Sequence, residues 1–600
     1  MKRATFTFVS LLFTFGLLVQ NVLADDSSKN CRCQTPQKCW PSEKEWHELR
    51  AQLTGKLVKP TSVLASCRKT SQNADCQNIL KDMHNPFYLQ ARPGEFQSQG
   101  WFKAWDPQIS EYAVEAQTTQ DIVAAVNFAR KHNIRIAIKG AGHDYLSRNM
   151  APDSLLIWTH PMRKMTMHDS FMPTNCPKSH QAKPAITVQA GTRWIDAYTE
   201  VTTKNKRYMQ GGGCTSVGVA GGFTQGGGFG QTSKKFGMGA SNILEVEIVT
   251  ADGKTLIANE CQNQDLFWAV RGGGGSTFGV VTQMTLQTFD LPSNFGVLKG
   301  KIKAKSDPEY KKLIKHFIGF VNDNLVNEHW GEQIAFKKDN SIELFLFFQD
   351  LSKEQVDKIF EPLWQWLKQS QNNITFEQDI FTIPAQSMWD YGYWEKNHPE
   401  YVTKDSRADA PKGQYWWTPN TSEVSRYWYT YLSRWLPQTL FTPQKQDVLT
   451  DALFKASRLC VVSLHLNKGL AGAPKDAQER SKGTSINPSA HDAVGLVILN
   501  KGNSDIFPGI NGELDAKEIE KSIKPYREAY EIIKAISPNA GSYANEADYF
   551  QKDWQNEFWG TNYSKLYDIK QKYDPEGLFY CHHCVGSEQW DEKGMCKKKA

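Results

Sequence analysis

Charge of one sign is nowhere concentrated in this 600-residue chain. Its 70 Lys and Arg against 64 Asp and Glu leave a formal net charge of +6, with no basic run and no arginine stripe. That excludes the electrostatic footprint of a nucleic-acid binder. No Gly-Lys-Ser/Thr follows a glycine loop, so a P-loop is absent. No glycine string sits between a strand and a helix of one βαβ unit with an acidic residue about twenty on, so a Rossmann fingerprint is absent too. Beyond residue 24 no run is apolar for long enough to span a bilayer. Internal repeats and low-complexity segments are also missing. A chain this long with ordinary composition must therefore divide into two or more packed cores.

What is present begins with an export pattern. Lys2 and Arg3 precede a mostly apolar stretch from Phe6 to Val22, and Val22-Leu23-Ala24 offers a small residue for cleavage before Asp25. Residues 1–24 thus read as a signal peptide. An uncleaved anchor fits less well, because Thr14, Gly16 and Gln20 interrupt the short apolar core. A secreted, extracellular protein with no membrane attachment in its mature form is expected. The twelve cysteines gather toward the two ends, as disulfides pinning terminal extensions onto a self-supporting body would require. Cys67 and Cys76 suit a local loop. Asn373, Asn420 and Asn562 open glycosylation sequons. Cys581-His582-His583-Cys584 could hold zinc, but disulfides suit an exported chain better, and no metal site is expected.

Residues 25–99 form a polar, Cys-rich extension without a period of their own, leading into the body. From 100 the texture changes. Thr118 to Asp121 resembles a capping box, and Ile122, Val123, Val126 and Ala129 then share a helical face. Ile134, Ile136 and Ile138 alternate as a strand that runs into Gly140. Further strands follow at 186–191, 244–248, 255–257 and 278–286, with a helix from Trp194 to Val201. An α+β domain over 100–290 results. Residues 291–535 carry long amphipathic pieces and many aromatics, as mixed or antiparallel sheet covered by helices would. The segment 536–590 is compact, and 591–600 is a tail.

Two glycine strings dominate: 211–230, and Arg271 through Gly279. Glycine lets backbone amides approach a pyrophosphate or a flat ring. Both strings are flanked by Val, Phe and Trp, which argues against a flexible linker. The pattern alone reaches a phosphate- and ring-bearing cofactor and no further.

Ile138-Lys139-Gly140-Ala141-Gly142-His143-Asp144-Tyr145 resembles the pyrophosphate loop of FAD-linked oxidases of the vanillyl-alcohol oxidase type. Within them it is most similar to the berberine-bridge-enzyme-like branch. A second matching string carries Gly213, Cys214, Val217, Gly218, Gly221 and Gly222, then Gly227 and Gly228. Asp265 through Val280, with Gly274 and Gly279, and Tyr573-Asp574-Pro575 also match. The match covers 100–290 and 540–580 in order. The departures are Ala141 for a glycine, Thr215 for a proline after the cysteine, and an unusual Cys581–Cys584 ending.

The resemblance implies a two-part PCMH-type FAD-binding domain with an inserted substrate domain. It implies FAD bonded covalently through His143 and Cys214, with Asn545 and Asn562 at the flavin. The cysteine count agrees: with Cys214 set aside, one more thiol must stay free, and Cys460 in an apolar stretch suits that. Tyr543 corresponds to a tyrosine thought to deprotonate a substrate hydroxyl. A tyrosine titrating near ~10 needs a cation or strong hydrogen bonds for that task. Asn562 cannot serve both flavin and glycan. Val217 matches a position where valine marks oxidases and leucine marks dehydrogenases. The expected activity is oxidation of a small alcohol, sugar or related molecule, with molecular oxygen as acceptor and hydrogen peroxide as product. A dehydrogenase with another acceptor, and a secreted flavin- or carbohydrate-binding protein without turnover, are the alternatives.

Overall fold

The computed structural model describes residues 30–68 and 73–598; the export segment lies outside them. Three sheets carry the architecture. The first has four strands in the order Lys56–Val58, Tyr112–Glu115, Ser154–Trp158 and Arg135–Lys139, the last three parallel. The second is antiparallel, in the order Thr255–Asn259, Ile243–Val249, Val280–Gln287, Lys183–Gln189 and Met165–Phe171.

The helix Thr119–Lys131 explains how these two sheets hold together. Thr118 and Asp121 close a reciprocal capping box at its start, and Arg130 and Lys131 sit in its last turn, where cations suit the helix dipole. Its buried residues, Ile122, Val126 and Ala129 among them, join one core with Leu155 and Ile157 of the first sheet and Val249 and Val280 of the second. The parallel strands are buried on both sides, so Ile136 and Ala137 are equally inaccessible although they point oppositely.

The third sheet has eight strands, in the order Ile374–Pro384, Asn294–Ala304, Ser341–Gln349, Trp330–Phe336, Val462–His465, Ala493–Asn503, Arg426–Pro437 and Ser98–Trp101. Only the last pairing is parallel. The helices Asp307–Asn324, Lys353–Gln369, Gln446–Leu459 and Ala516–Ile536 share a core with one face of it through Leu298, Ile302, Leu344, Leu346 and Phe348. Alternation leaves the other face to Val297, Phe345, Phe347, Gln333, Ser463 and Ile498, which line a cavity. Pairing keeps them in one row: Val297 lies opposite Phe347, Phe345 opposite Gln333, and Ser463 opposite Ile498.

Two expectations need correction. The extension before residue 99, expected to have no period of its own, carries a helix that packs into the core. Ser42 and Glu45 cap the helix Glu43–Gln52, whose Trp46 stacks on Tyr112 at 4.0 Å between ring centroids and packs against Phe128. Trp46 and Leu49 fall three apart, a spacing too short-lived to stand out in polar surroundings. The strand Ser98–Trp101 also crosses the expected boundary at 99–100, because it completes the eight-stranded sheet.

The tail is likewise anchored. Cys31–Cys596 joins the two ends, and Cys33–Cys39, Cys67–Cys76, Cys176–Cys261 and Cys581–Cys584 are further disulfides. Cys214 and Cys460 remain thiols, the latter buried among the helices of the third sheet. His180 joins Cys176 and Cys261 in a grouping of metal-ligand type, but the two sulfurs are bonded to each other. Among the described residues no helix is long and apolar enough to cross a membrane.

Candidate active site

A cavity of about 700 Å³ opens between the third sheet and the first two. The loop 139–145 leaves the carboxyl end of the strand Arg135–Lys139, where parallel strands commonly present a ligand site. Its shape is imposed by its neighbours. Lys139 turns away from solvent and its ammonium donates to the carbonyl oxygens of Arg92, at 2.7 Å, and Glu95. Burial brings that lysine down to about 7. Gly142 has φ +82, and a side chain there would meet the Lys139 stem at 2.9 Å. Asp144 accepts from Arg148 Nε at 2.7 Å and from the Leu146 amide at 3.2 Å, which closes the turn.

The loop 212–222 forms the adjacent wall. Tyr198 and Trp417 donate to the carbonyl oxygens of Gly212 and Gly213, at 2.9 and 2.8 Å. The amides of Ile195 and Trp194 take those of Thr215 and Val217, both at 2.9 Å. These four bonds hold the loop's carbonyls from outside the cavity. His143 and Cys214, far apart in sequence, both line the cavity, and His143 Nε2 lies 2.9 Å from Ser216 Oγ. Burial lowers His143 to about 4, so its imidazole is neutral. Burial raises the Cys214 thiol, and the nearby Glu423 raises it further.

Whether FAD fits can be judged from the glycines. At Gly211, Gly230 and Gly272 a Cβ would come within 2.5 Å of protein atoms, so packing alone demands glycine. At Gly140, Gly213, Gly218 and Gly221 it would meet nothing closer than 3.4 Å, and at Gly222 nothing within 4 Å. These five line the cavity without positive φ. Their missing side chains therefore serve whatever fills the cavity, as a ring and pyrophosphate lying on backbone would require. The residues present fit the cofactor.

Tyr543 and Asn545 line the cavity from the C-terminal segment. The Tyr543 hydroxyl accepts from the Gly228 amide at 3.0 Å and from Asn545 Nδ2 at 2.9 Å. Burial raises it, and Glu546 raises it further. Lys468, a cation on the same cavity wall, is held by Glu546 at 2.5 Å.

Of the residues expected at the cofactor, Lys139, Gly140, Ala141, Gly142, His143, Asp144, Tyr145, Gly213, Cys214, Val217, Gly218, Gly221, Gly222, Gly279, Val280, Asn545 and Tyr543 line this one cavity. Gly227, Gly228, Gly274 and Asn562 do not. Gly227 and Gly228 take φ +124 and +79 behind Tyr543, and Gly274 takes φ +94 while its amide donates to Gln225. There glycine serves the turn. Asn562 Nδ2 donates to the Ile486 carbonyl at 2.7 Å, placing it behind the wall.

Sequence reasoning missed Glu332, Glu423, His465, Asn467 and Lys468, all lining the cavity from the inserted region. They stand near strand ends or in turns, with Asn467 and Lys468 adjacent in one turn after the strand Val462–His465. Glu332, at φ +63, is off the strand conformation that alternation assumes. Nothing local marks them.

A cavity walled by glycine backbone on one side and closed by a sheet of mixed chemistry on the other has the form of a cofactor site. A family model described as an FAD binding domain matches residues 110–259, and one described as berberine and berberine-like matches 542–586. An uncharacterised FAD-linked oxidoreductase of Arthroderma benhamiae is 32% identical over 94% of this chain and 96% of its own. A VAO-type flavoprotein from Myceliophthora thermophila has TM-score 0.78 at 26% identity, covering 95% of this chain and all of that one. A glucooligosaccharide oxidase from Acremonium strictum, described with a 6-S-cysteinyl, 8α-N1-histidyl FAD, has TM-score 0.62 at 20% identity over 82% of this chain and 94% of that one; this likeness concerns the fold. The chain belongs to the berberine-bridge-enzyme-like FAD-linked oxidoreductases, and it is an FAD enzyme.

Proposed function

We propose that this protein is a secreted oxidase that holds FAD by two covalent bonds, at His143 and Cys214, and oxidises a small alcohol-type substrate. The observation that carries the reading is the shared cavity wall: a neutral imidazole and a free thiol, 71 positions apart, reach one glycine-lined space. FAD supplies two-electron acceptance when bound. The chain's own part is positioning. A neutral His143 keeps a ring nitrogen available for a bond to carbon, with the Ser216 hydroxyl holding the ring's orientation. The Tyr543 hydroxyl, fixed by two donors, holds a proton position beside the cavity. Its acceptance of two hydrogen bonds favours the phenolate, whereas burial opposes it, so removal of a substrate proton by Tyr543 depends on charge brought by the complex. Val217 lines the same cavity, and the family pattern at its position supports oxygen as acceptor, with hydrogen peroxide released. Five disulfides support an oxidising, extracellular setting.

Acid precipitation of the purified protein tests the attachment. Yellow colour is expected in the pellet; colour released to the supernatant rules out both bonds, and the masses of the His143 and Cys214 peptides decide each separately. Rapid reoxidation of the reduced protein in air-saturated buffer is expected of an oxidase, and slow reoxidation would make it a dehydrogenase.

A further inference from the structure

The cavity has two chemically different ends, and the strand order of the third sheet separates them. On its fourth and fifth strands, Trp330–Phe336 and Val462–His465, polar lining groups are bonded to one another: Ser463 Oγ donates to Gln333 Oε1 at 2.9 Å and lies 3.1 Å from His465 Nε2. Lys468, three residues beyond His465, pairs with Glu546 at 2.5 Å, and Glu546 stands three residues after Tyr543. This end therefore belongs with the tyrosine. The first three strands present only Phe381, Val297, Phe345 and Phe347 to the cavity. Phe381 and Phe347 flank Val297 in register.

Beyond that sheet edge the inserted region continues the apolar surface. Tyr401 lies 5.9 Å from Phe381 between ring centroids, Trp394 lies 5.9 Å from Tyr401, and Trp417 lies 5.0 Å from Trp394. All four rings line the cavity, and Phe381, Tyr401 and Trp417 are only half-buried. Trp417 Nε1 donates to the Gly213 carbonyl at 2.8 Å, so the surface reaches the cofactor loop next to Cys214. The indole N–H of Trp394 is likewise spent, on the Met388 carbonyl at 2.8 Å. Among these four rings the Tyr401 hydroxyl is the one polar group not turned onto backbone.

We infer that the substrate is an aryl alcohol, its planar aromatic body seated on Phe381, Tyr401 and Trp417 and its hydroxyl turned toward Tyr543. A sugar carries a hydroxyl on almost every ring carbon, and each one buried against this surface would lose water without gaining a partner. An aromatic ring loses nothing there. It gains face and edge contacts from neighbours tilted 46°, 68° and 84° to one another. An apolar body with one polar end is also what a pocket divided in this way orients.

The substrate class rests on the oxidase reading for its reacting group, but binding and turnover are read separately. Isothermal titration of the purified holoprotein compares 2-naphthylmethanol with cellobiose. The aryl alcohol should bind at least about tenfold more tightly. Tyr401→Phe should keep that affinity within about twofold, whereas Tyr401→Ser and Phe381→Ser should each lower it about tenfold with the melting temperature in place. Cellobiose binding as tightly or more so, no binding of either probe, or full affinity in both serine variants overturns the inference. So does a loss in Tyr401→Phe equal to that in Tyr401→Ser, which would make the hydroxyl and not the ring the point of recognition. Anaerobic mixing then reports turnover: tight binding of the aryl alcohol without bleaching of the flavin would sink the oxidase reading and leave the ring site standing.

Discussion

The side-chain amide of Asn420 lies 2.6 Å from the sulfur of Cys214, with the amide as donor. The contact joins a turn of the inserted region to the glycine loop of the cofactor domain, and it fixes the thiol's direction. Asn420→Ala is expected to lower attachment at Cys214 severalfold while attachment at His143 persists. Peptide masses read both sites in one sample. Full occupancy of Cys214 in this variant would show that the amide has no positioning role.

The same contact bears on glycosylation. Asn420 is half-buried at the cavity and Asn562 donates to the Ile486 carbonyl, whereas Asn373 is exposed. A glycan needs a free, accessible amide. Peptide mapping of the exported protein should find sugar on Asn373 and none on the other two. Sugar on Asn420 would contradict both its hydrogen bond and its place at the cavity.

Arg434 and Glu557 form a buried pair at 2.5 Å that joins the eight-stranded sheet to the C-terminal segment carrying Tyr543. Removing one partner strands the other charge. Glu557→Ala should destabilise the fold by about 3–5 kcal/mol. Denaturant or thermal unfolding measures it, and a loss under about 1 kcal/mol would show that Arg434's carbonyl partners suffice.

Trp46→Ala tests the N-terminal helix as part of the core. Loss of its stacking on Tyr112 and contact with Phe128 should cost about 3–5 kcal/mol. A negligible change in melting temperature would return this segment to the status of a loose extension.

The sequence by itself determined the cofactor wall, because that wall is made of local chemistry. A strand running into Gly140–Gly142 and His143, and a glycine loop carrying Cys214, are contiguous strings whose backbone demands show in the residues themselves. Helix 119–131 was equally legible, since its cap and its period occur within one short stretch. Only tertiary structure decided the rest. A glycine kept for a turn's positive φ and a glycine kept bare toward a cavity are the same letter in the sequence, so Gly227, Gly228 and Gly274 could not be told from Gly218 and Gly222 in advance. The substrate side was hidden for a different reason. Glu332, Glu423, Asn467 and Lys468 come from separate strands and turns, and strand pairing across more than a hundred residues brings them to one cavity beside Cys214. Which of them lack a partner is a property of the assembled space, where burial and counter-charge are set by neighbours distant in sequence.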